Sequence, residues 1–267
     1  MPNDEQEQTR LAITYQAYFS VLGDQLTLGP IPRSAKRILE VGTGTGDWAI
    51  AVAERHPRAE VIALDITTSF HPASGPPNVT FELDDAQDEW TYTEPFDFIH
   101  IRGLAGAFSN WGAIYGEVSK HLRPGGCFEI ADSGMIRLTN EPSHSYLSIF
   151  NSAIQSAAEK AGTPLGSDHL KKSVLENAGL SVVKSKTFDV PLGIWSPDPR
   201  KKVPGKMALI STLEGLEATS LRLLTRHMGW KEEDVRDMCG KVKEEVVAPG
   251  ANAYLPLQFV VGRNILM

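Results

Sequence analysis

The chain has 267 residues, 42% hydrophobic and 22% charged, with a formal net charge of −7 and a pI near 5.5. A chain of that length buries roughly 70–75% of its unfolded surface, so it needs no covalent staple, and its acidic balance argues against nucleic acid as the main partner. The only cysteines, Cys127 and Cys239, lack metal spacing, the opening MPNDEQEQTR has no apolar signal core, and no run reaches the roughly 18 apolar residues of a membrane span; the expectation is a cytoplasmic protein, monomeric or homodimeric, that binds no membrane.

Apolar Leu11, Tyr15, Tyr18, Phe19, Leu22 and Leu26 recur at three- and four-residue spacing and predict a helix over 4–26. Gly29, Pro30 and Pro32 break it. Strands follow at Arg37–Val41, Glu60–Asp65, Val79–Leu83, 96–101 and 127–131. Helices are expected at 47–55 and 111–122, the second ending at Arg123-Pro124-Gly125-Gly126. Strands alternating with helices predict a parallel sheet with right-handed crossovers. The second half reads as helices at 141–161 and 168–178, a strand at 180–190, and the loop LGIWSPDPRKKVPGK. Helices at 206–228 and 231–246 and a last strand at 254–263 follow. The expected fold is α/β: a seven-stranded, mostly parallel, doubly wound sheet whose last two strands form a reversed edge. One domain over 1–267 is expected, with a lid helix in 1–30, a ligand-binding half at 36–134, and helical additions at 135–170 and 191–250 over the carboxyl edge.

The first strand runs into Glu40-Val41-Gly42-Thr43-Gly44-Thr45-Gly46. Three glycines clear side chains from this loop. Gly44 to Ala49 fits the dinucleotide pattern G-x-G-x-x-G/A, and Asp65 stands about 20 residues on, where a ribose-binding acid belongs. A dehydrogenase therefore remains open. Three features favour another ligand. Glu40 opposes a pyrophosphate but suits a cationic amine and sulfonium. Asp84-Asp85-Ala86 after the third strand supplies an acid for an adenine amine and a backbone N–H for its ring. An LRPGG turn and a fifth strand follow.

E-x-G-x-G-x-G, an acid ending strand two, the acid–Ala pair and LRPGG together resemble class I S-adenosylmethionine-dependent methyltransferases, with a Rossmann-like fold. FDFIHIRG, Leu192-Gly193-Ile194-Trp195-Ser196-Pro197 and the Leu224-Thr225-Arg226…Gly229-Trp230 stretch extend the resemblance to fungal secondary-metabolism enzymes of the LaeA-like and ustiloxin-cluster type. That resemblance implies transfer of a methyl group to a small-molecule natural product, to oxygen first and to nitrogen or carbon next. It also allows a regulator acting in a protein complex, or a cofactor-binding fold that accelerates a cyclisation. Thr14-Tyr15-Gln16 replaces an expected His-containing stretch, and the loop after Asp65 is short, so no substrate is carried over.

The implied cofactor, S-adenosylmethionine, would meet Gly42, Thr43, Gly44 and Gly46 with its methionine part and Glu40 with its amine. Its carboxylate would lie at the following helix N-terminus. Asp65 and Ile66 would meet the ribose, and Asp85 or Asp84 with Ala86 the adenine. Arg102 could hold a carboxylate bidentately. His100 and Asp132 end strands at the edge where ligands bind in open α/β sheets and are the candidate catalytic pair. A strand histidine is more often simply a hydrogen-bonded core residue. Tyr15 and Tyr18, on the lid helix, and His144, Tyr146 and Trp195, on the additions, are candidate substrate contacts, with core packing or surface placement the competing readings. The inserted helices leave room for a closed apolar pocket. No His-x-x-His or Cys-x-x-Cys spacing suggests a metal.

Overall fold

A computed structural model describes residues 4–72, 74–142 and 144–265. Five strands run parallel: β1 (Arg37–Val41), β2 (Glu60–Asp65), β3 (Val79–Leu83), β4 (Phe96–Arg102) and β5 (Leu122–Ser133). β6 (Arg137–Leu138), β7 (Leu180–Pro191) and β8 (Ala253–Asn264) complete the sheet. The order is β3-β2-β1-β4-β5-β8, with β7 on the far side of β8. β8 is antiparallel to both β5 and β7. The two-residue β6 pairs with Tyr254 and Ala253 of β8 just beyond the end of β5, so it continues β5's lane. Seven lanes with a reversed edge are the architecture expected from sequence.

β4, FDFIHIR, is buried along almost its whole length, as a central strand covered on both faces must be. Alternate residues face opposite sides. One side carries Leu39, Val41, Ile99, Ile101, Phe128 and Ile130 against α3 (Trp111–His121) and α5 (Lys172–Asn177). The other carries Ile38 and Phe98 against Trp48 of α2 (Asp47–Arg55). Further along that side, Ala131 and Phe259 pack with α4 (Tyr146–Ala161), α6 (Lys202–Met228) and α7 (Glu232–Val247) in one apolar cluster that also takes Tyr18 of α1 (Glu5–Val21).

Several element boundaries differ from expectation, and β5 begins at Leu122, so the expected LRPGG turn lies within the strand rather than before it. α1 stops at Val21, because Gly23 and Asp24 both adopt positive φ. α4 starts at Tyr146, where the Ser145 hydroxyl accepts the Ser148 N–H; Ser143, inside the expected helix, lies outside the described residues. α6 starts at Lys202 and takes Pro204 into its first turn, where an N–H has no partner to lose. The helix expected at 168–178 divides into a 3-10 turn, Asp168–Leu170, and α5. No helix among the described residues is long and apolar enough to cross a membrane.

Candidate active site

β1 ends in a loop whose three glycines all hold positive φ, at +73° for Gly42, +57° for Gly44 and +77° for Gly46. Their surroundings differ. A Cβ on Gly42 would lie 2.6 Å from two Leu104 methyls, and one on Gly46 would lie 2.6 Å from the Phe81 ring. A Cβ on Gly44 would meet only Leu11 Cδ1, at 3.7 Å. Two glycines therefore serve close packing, and Gly44 is the least crowded of the three, in ordinary contact with Leu11 only. Gly46 caps α2, whose first N–H groups point into the same region.

Glu40, the last-but-one residue of β1, is buried. Its Oε2 accepts the Thr43 hydroxyl at 2.6 Å. Burial raises its pKa to about 7, with Arg102 and Thr43 opposing the rise. A cation docked against Glu40 would restore its charge.

At the end of β2, Asp65 Oδ2 accepts the Gly44 N–H at 2.8 Å and Oδ1 the Thr67 N–H at 3.1 Å. The acid thus braces the glycine loop as well as facing the edge. Ile66 is 68% exposed, and Leu83, in register with Asp65, is 62% exposed. Two exposed apolar side chains beside an acid at the carboxyl edge suit the face of a ring. Asp84 Oδ1 accepts the Asp85 N–H, Asp85 Oδ1 accepts the Gln87 N–H, and Ala86 is buried under this turn.

Helix α1 lies across the loop. Gln8 donates to the Ser69 carbonyl beyond β2, and Leu11 sits over Gly44. The Arg102 guanidinium stands 5.2 Å from the ring centres of both Tyr15 and Tyr18. It is half-buried at the end of β4. Tyr18 also packs edge-on against Phe259 and is fully in the core, and burial raises its phenol pKa further above the ordinary range.

The two candidate catalytic residues stand apart. His100 is buried in mid-sheet, its ring stacked on the Trp48 indole at 3.9 Å and 6°. It lies 3.8 Å from Glu40 and 3.9 Å from Glu129, and burial lowers its pKa well below 6.5, so the ring is neutral. Asp132 sits at the carboxyl end of β5. Its Oδ2 accepts the Ala105 N–H at 2.7 Å, and its Oδ1 the Ser133 N–H. His169 Nε2 is 3.4 Å from Asp132 Oδ2, its Nδ1 is 2.7 Å from the Tyr115 hydroxyl, and its ring stacks on Trp111 at 3.7 Å. His169 and Tyr115 were not singled out in the sequence. They lie far from Asp132 along the chain, and only the fold joins them.

Gly134 and Asp168, next to this cluster along the chain, line a cavity of about 480 Å³ between β5–β6 and α4. Arg137, Asn151, Ser152, Gln155 and Tyr254 also line it. Its walls are mostly polar, which corrects the expectation of a closed apolar pocket. Trp195 donates to the Ala253 carbonyl and lines a smaller cavity of about 280 Å³ with Asp189 and Lys201. His144 is exposed in the turn before α4. Tyr146 is half-exposed, with Lys241 of α7 5.4 Å from its ring. Tyr15 and Tyr18 thus converge on Arg102, whereas His144, Tyr146 and Trp195 do not meet at one place. Among the described residues, no group of three or more His, Cys, Asp or Glu could hold a metal ion.

The profile of a family described as a methyltransferase domain matches residues 15–185. The methyltransferase pytC of Aspergillus terreus is 32% identical over 266 residues, covering 98% of this chain and 82% of its own. The secondary metabolism regulator LAE1 of Cochliobolus heterostrophus is also 32% identical, covering 95% of this chain and 85% of its own. Among solved structures, coclaurine N-methyltransferase bound to N-methylheliamine and SAH aligns with a TM-score of 0.54 at 15% identity, over 95% of this chain and 72% of that one. The [4+2]-cyclase SpnF aligns at 0.53 and 15% identity, over 94% and 81%. At such identities these two share the fold.

Proposed function

This chain belongs to the methyltransferase-domain family, and on that premise we propose that it methylates an oxygen of a small, polar natural product in fungal secondary metabolism. Its methyl donor is S-adenosylmethionine. The observation that supports the reading best is the buried Glu40 carboxyl, held by Thr43 at the start of the glycine loop, where Gly44 is the least crowded of the three glycines. In this reading Glu40 takes the ammonium and the α2 N-terminus with Arg102 takes the carboxylate. Asp65 takes the ribose, and Ile66 and Leu83 flank an adenine held by Asp84 or Asp85 and Ala86.

When bound, S-adenosylmethionine supplies a methyl group already activated by its sulfonium. The protein's task is to hold an acceptor in line with it and to receive a proton. Positioning of this kind is worth about 7–11 kcal/mol. The polar cavity beyond Gly134 is the proposed acceptor site. Asp132, oriented by the Ala105 and Ser133 N–H groups, takes the acceptor's proton, and His169, held by Tyr115 and Trp111, orients Asp132. His100 has no direct path to that cavity and acts on the cofactor side. A proton acceptor is needed for a hydroxyl and not for a neutral amine, which is why oxygen is preferred.

The second reading is a regulator acting in a protein complex, which similarity to a protein named as a secondary metabolism regulator favours. Incubation with labelled S-adenosylmethionine and a fungal metabolite extract separates the two. Label in a small molecule is expected, and cofactor binding without any such transfer would favour the regulator. Binding of NAD in place of S-adenosylmethionine would end both. Asp132→Asn is expected to lose about 10²–10⁴-fold in turnover, the usual worth of a positioned base, with cofactor affinity kept. Unchanged turnover would remove Asp132 from the reaction.

A further inference from the structure

Glu40, His100 and Glu129 occupy one cross-strand row, in register across β1, β4 and β5. All three are essentially buried, at 3%, 1% and 0% exposure. The ring spans the gap between the acids without completing a hydrogen bond to either. His100 Nδ1 and Glu129 Oε1 are buried without a hydrogen-bond partner among the described residues. A neutral imidazole can accept on one nitrogen and donate on the other. Burial raises both glutamates to about 7, so neither holds its proton much more firmly than the other. Two bare carboxylates buried in one row would each carry an uncompensated desolvation cost.

The far end of the row touches the lid. Glu129 Oε2 accepts the Leu28 and Gly29 N–H groups at 2.7 and 3.1 Å, in the tether between α1 and β1. Trp48, stacked on His100, donates to the Leu26 carbonyl in the same tether. The charged and titratable groups that act on the row from neighbouring elements are Arg102 of β4, Asp65 of β2, Lys184 of β7, and Tyr15 of α1.

We propose that Glu129 is a positioning residue for the cofactor, sharing one proton with Glu40 across His100 so that Glu40 is ionised when an ammonium docks while Glu129 keeps the proton. This rests on the reading that Glu40 receives the cofactor's amine. The proton balance closes within the row: the Glu40 carboxyl loses a proton, the Glu129 carboxylate gains one, and none leaves for solvent. Glu129 protonated on Oε1 still accepts both tether N–H groups on Oε2, so α1 stays anchored over the loop as the charge moves.

Calorimetry of S-adenosylmethionine binding at pH 7, in buffers of different ionisation enthalpy, counts the protons exchanged. Glu129→Gln keeps the tether acceptor and the side-chain shape but cannot take a proton. The ligand's own amine contributes equally to both proteins, so the difference is the readout. Wild type is expected to release about half a proton fewer than the variant, since a lone acid with a pKa near the working pH is half protonated. Equal counts would overturn the proposal. Infrared difference spectra of the wild type provide a check that needs no variant: the number of protonated carboxyls is expected to stay constant on binding, and a net loss of one would overturn it. Glu40→Gln separates the two readings. If that variant binds S-adenosylmethionine as tightly as wild type, the amine assignment fails. If it loses affinity while the proton counts match, the shared proton alone fails.

Discussion

At the scale of single residues, Gly44 is the least crowded glycine of the loop and the one proposed to meet the cofactor. Alanine at Gly44 would meet only ordinary contact, but a left-handed backbone costs a residue with a Cβ about 1–2 kcal/mol. Gly44→Ala is therefore expected to lower the melting temperature modestly and to weaken S-adenosylmethionine binding at least tenfold. Gly42→Ala adds overpacking against Leu104, about 1–3 kcal/mol more, and should melt lower still. Thermal melts with and without cofactor check both; a Gly44→Ala protein that binds like wild type would show that the cofactor does not meet this glycine. The glycine spacing was plain in the sequence, but the unequal roles were not, because Leu104 and Phe81 reach the loop only through the sheet. Asp65 tells a similar story. It was expected to serve the ligand, with capping of the following turn as the competing reading, and its two bonds to Gly44 and Thr67 do brace the ligand-free loop, so its removal costs stability too.

At the scale of elements, strands were easier to read than helix ends. β1 and β2 lie where apolar runs placed them, since a covered parallel strand needs a continuous apolar stretch, and the edge strand β3 lies where its alternating VTFEL pattern placed it. Helix ends depended on local stops: Gly23 and Asp24 after α1, and Ser145 before α4. The start of α4 sets one wall of the polar cavity. Ser145→Ala removes the cap bond to the Ser148 N–H but leaves the Glu245 carboxylate on the Leu147 N–H, and is expected to cost about 1 kcal/mol. In a protein of this size that amounts to about 2–4 °C in melting temperature. A drop below 1 °C would mean that packing of Leu147 and Phe150 holds the turn without its cap.

At the scale of the whole molecule, the buried row should set how the ligand-free protein responds to pH. Glu40 and Glu129 have folded pKa values near 7, above the ordinary 4.5. Their contribution is fully present below pH 4.5 and is lost as pH rises through 7. His100, held neutral, works in the opposite sense: its contribution is complete above 6.5 and falls away as pH drops below it. The folded state thus holds at most about one proton more than the unfolded chain, with the excess greatest near pH 6–6.5 and smaller at pH 7, where both glutamates are half protonated. At about 1.4 kcal/mol per pH unit for each proton, stability should fall from pH 5 to 7, most steeply around pH 6–6.5. Denaturant melts across that range check this, and a rise over the same interval would refute the assignment. Saturating S-adenosylmethionine should flatten the fall by holding Glu40 ionised.

The amino-acid sequence by itself determined the alternating strands and helices, the glycine loop with its flanking acids, and the family resemblance, because these depend on periodicity and spacing within short segments. Tertiary structure decided the rest. It set His100 between Glu40 and Glu129, joined His169 and Tyr115 to Asp132, and gave the cavity between β5–β6 and α4 its polar walls. Those groupings come from the register of neighbouring strands and from helices folded back over the carboxyl edge. The pairing of residues far apart in the chain is set by the sheet's global order, which no local stretch encodes.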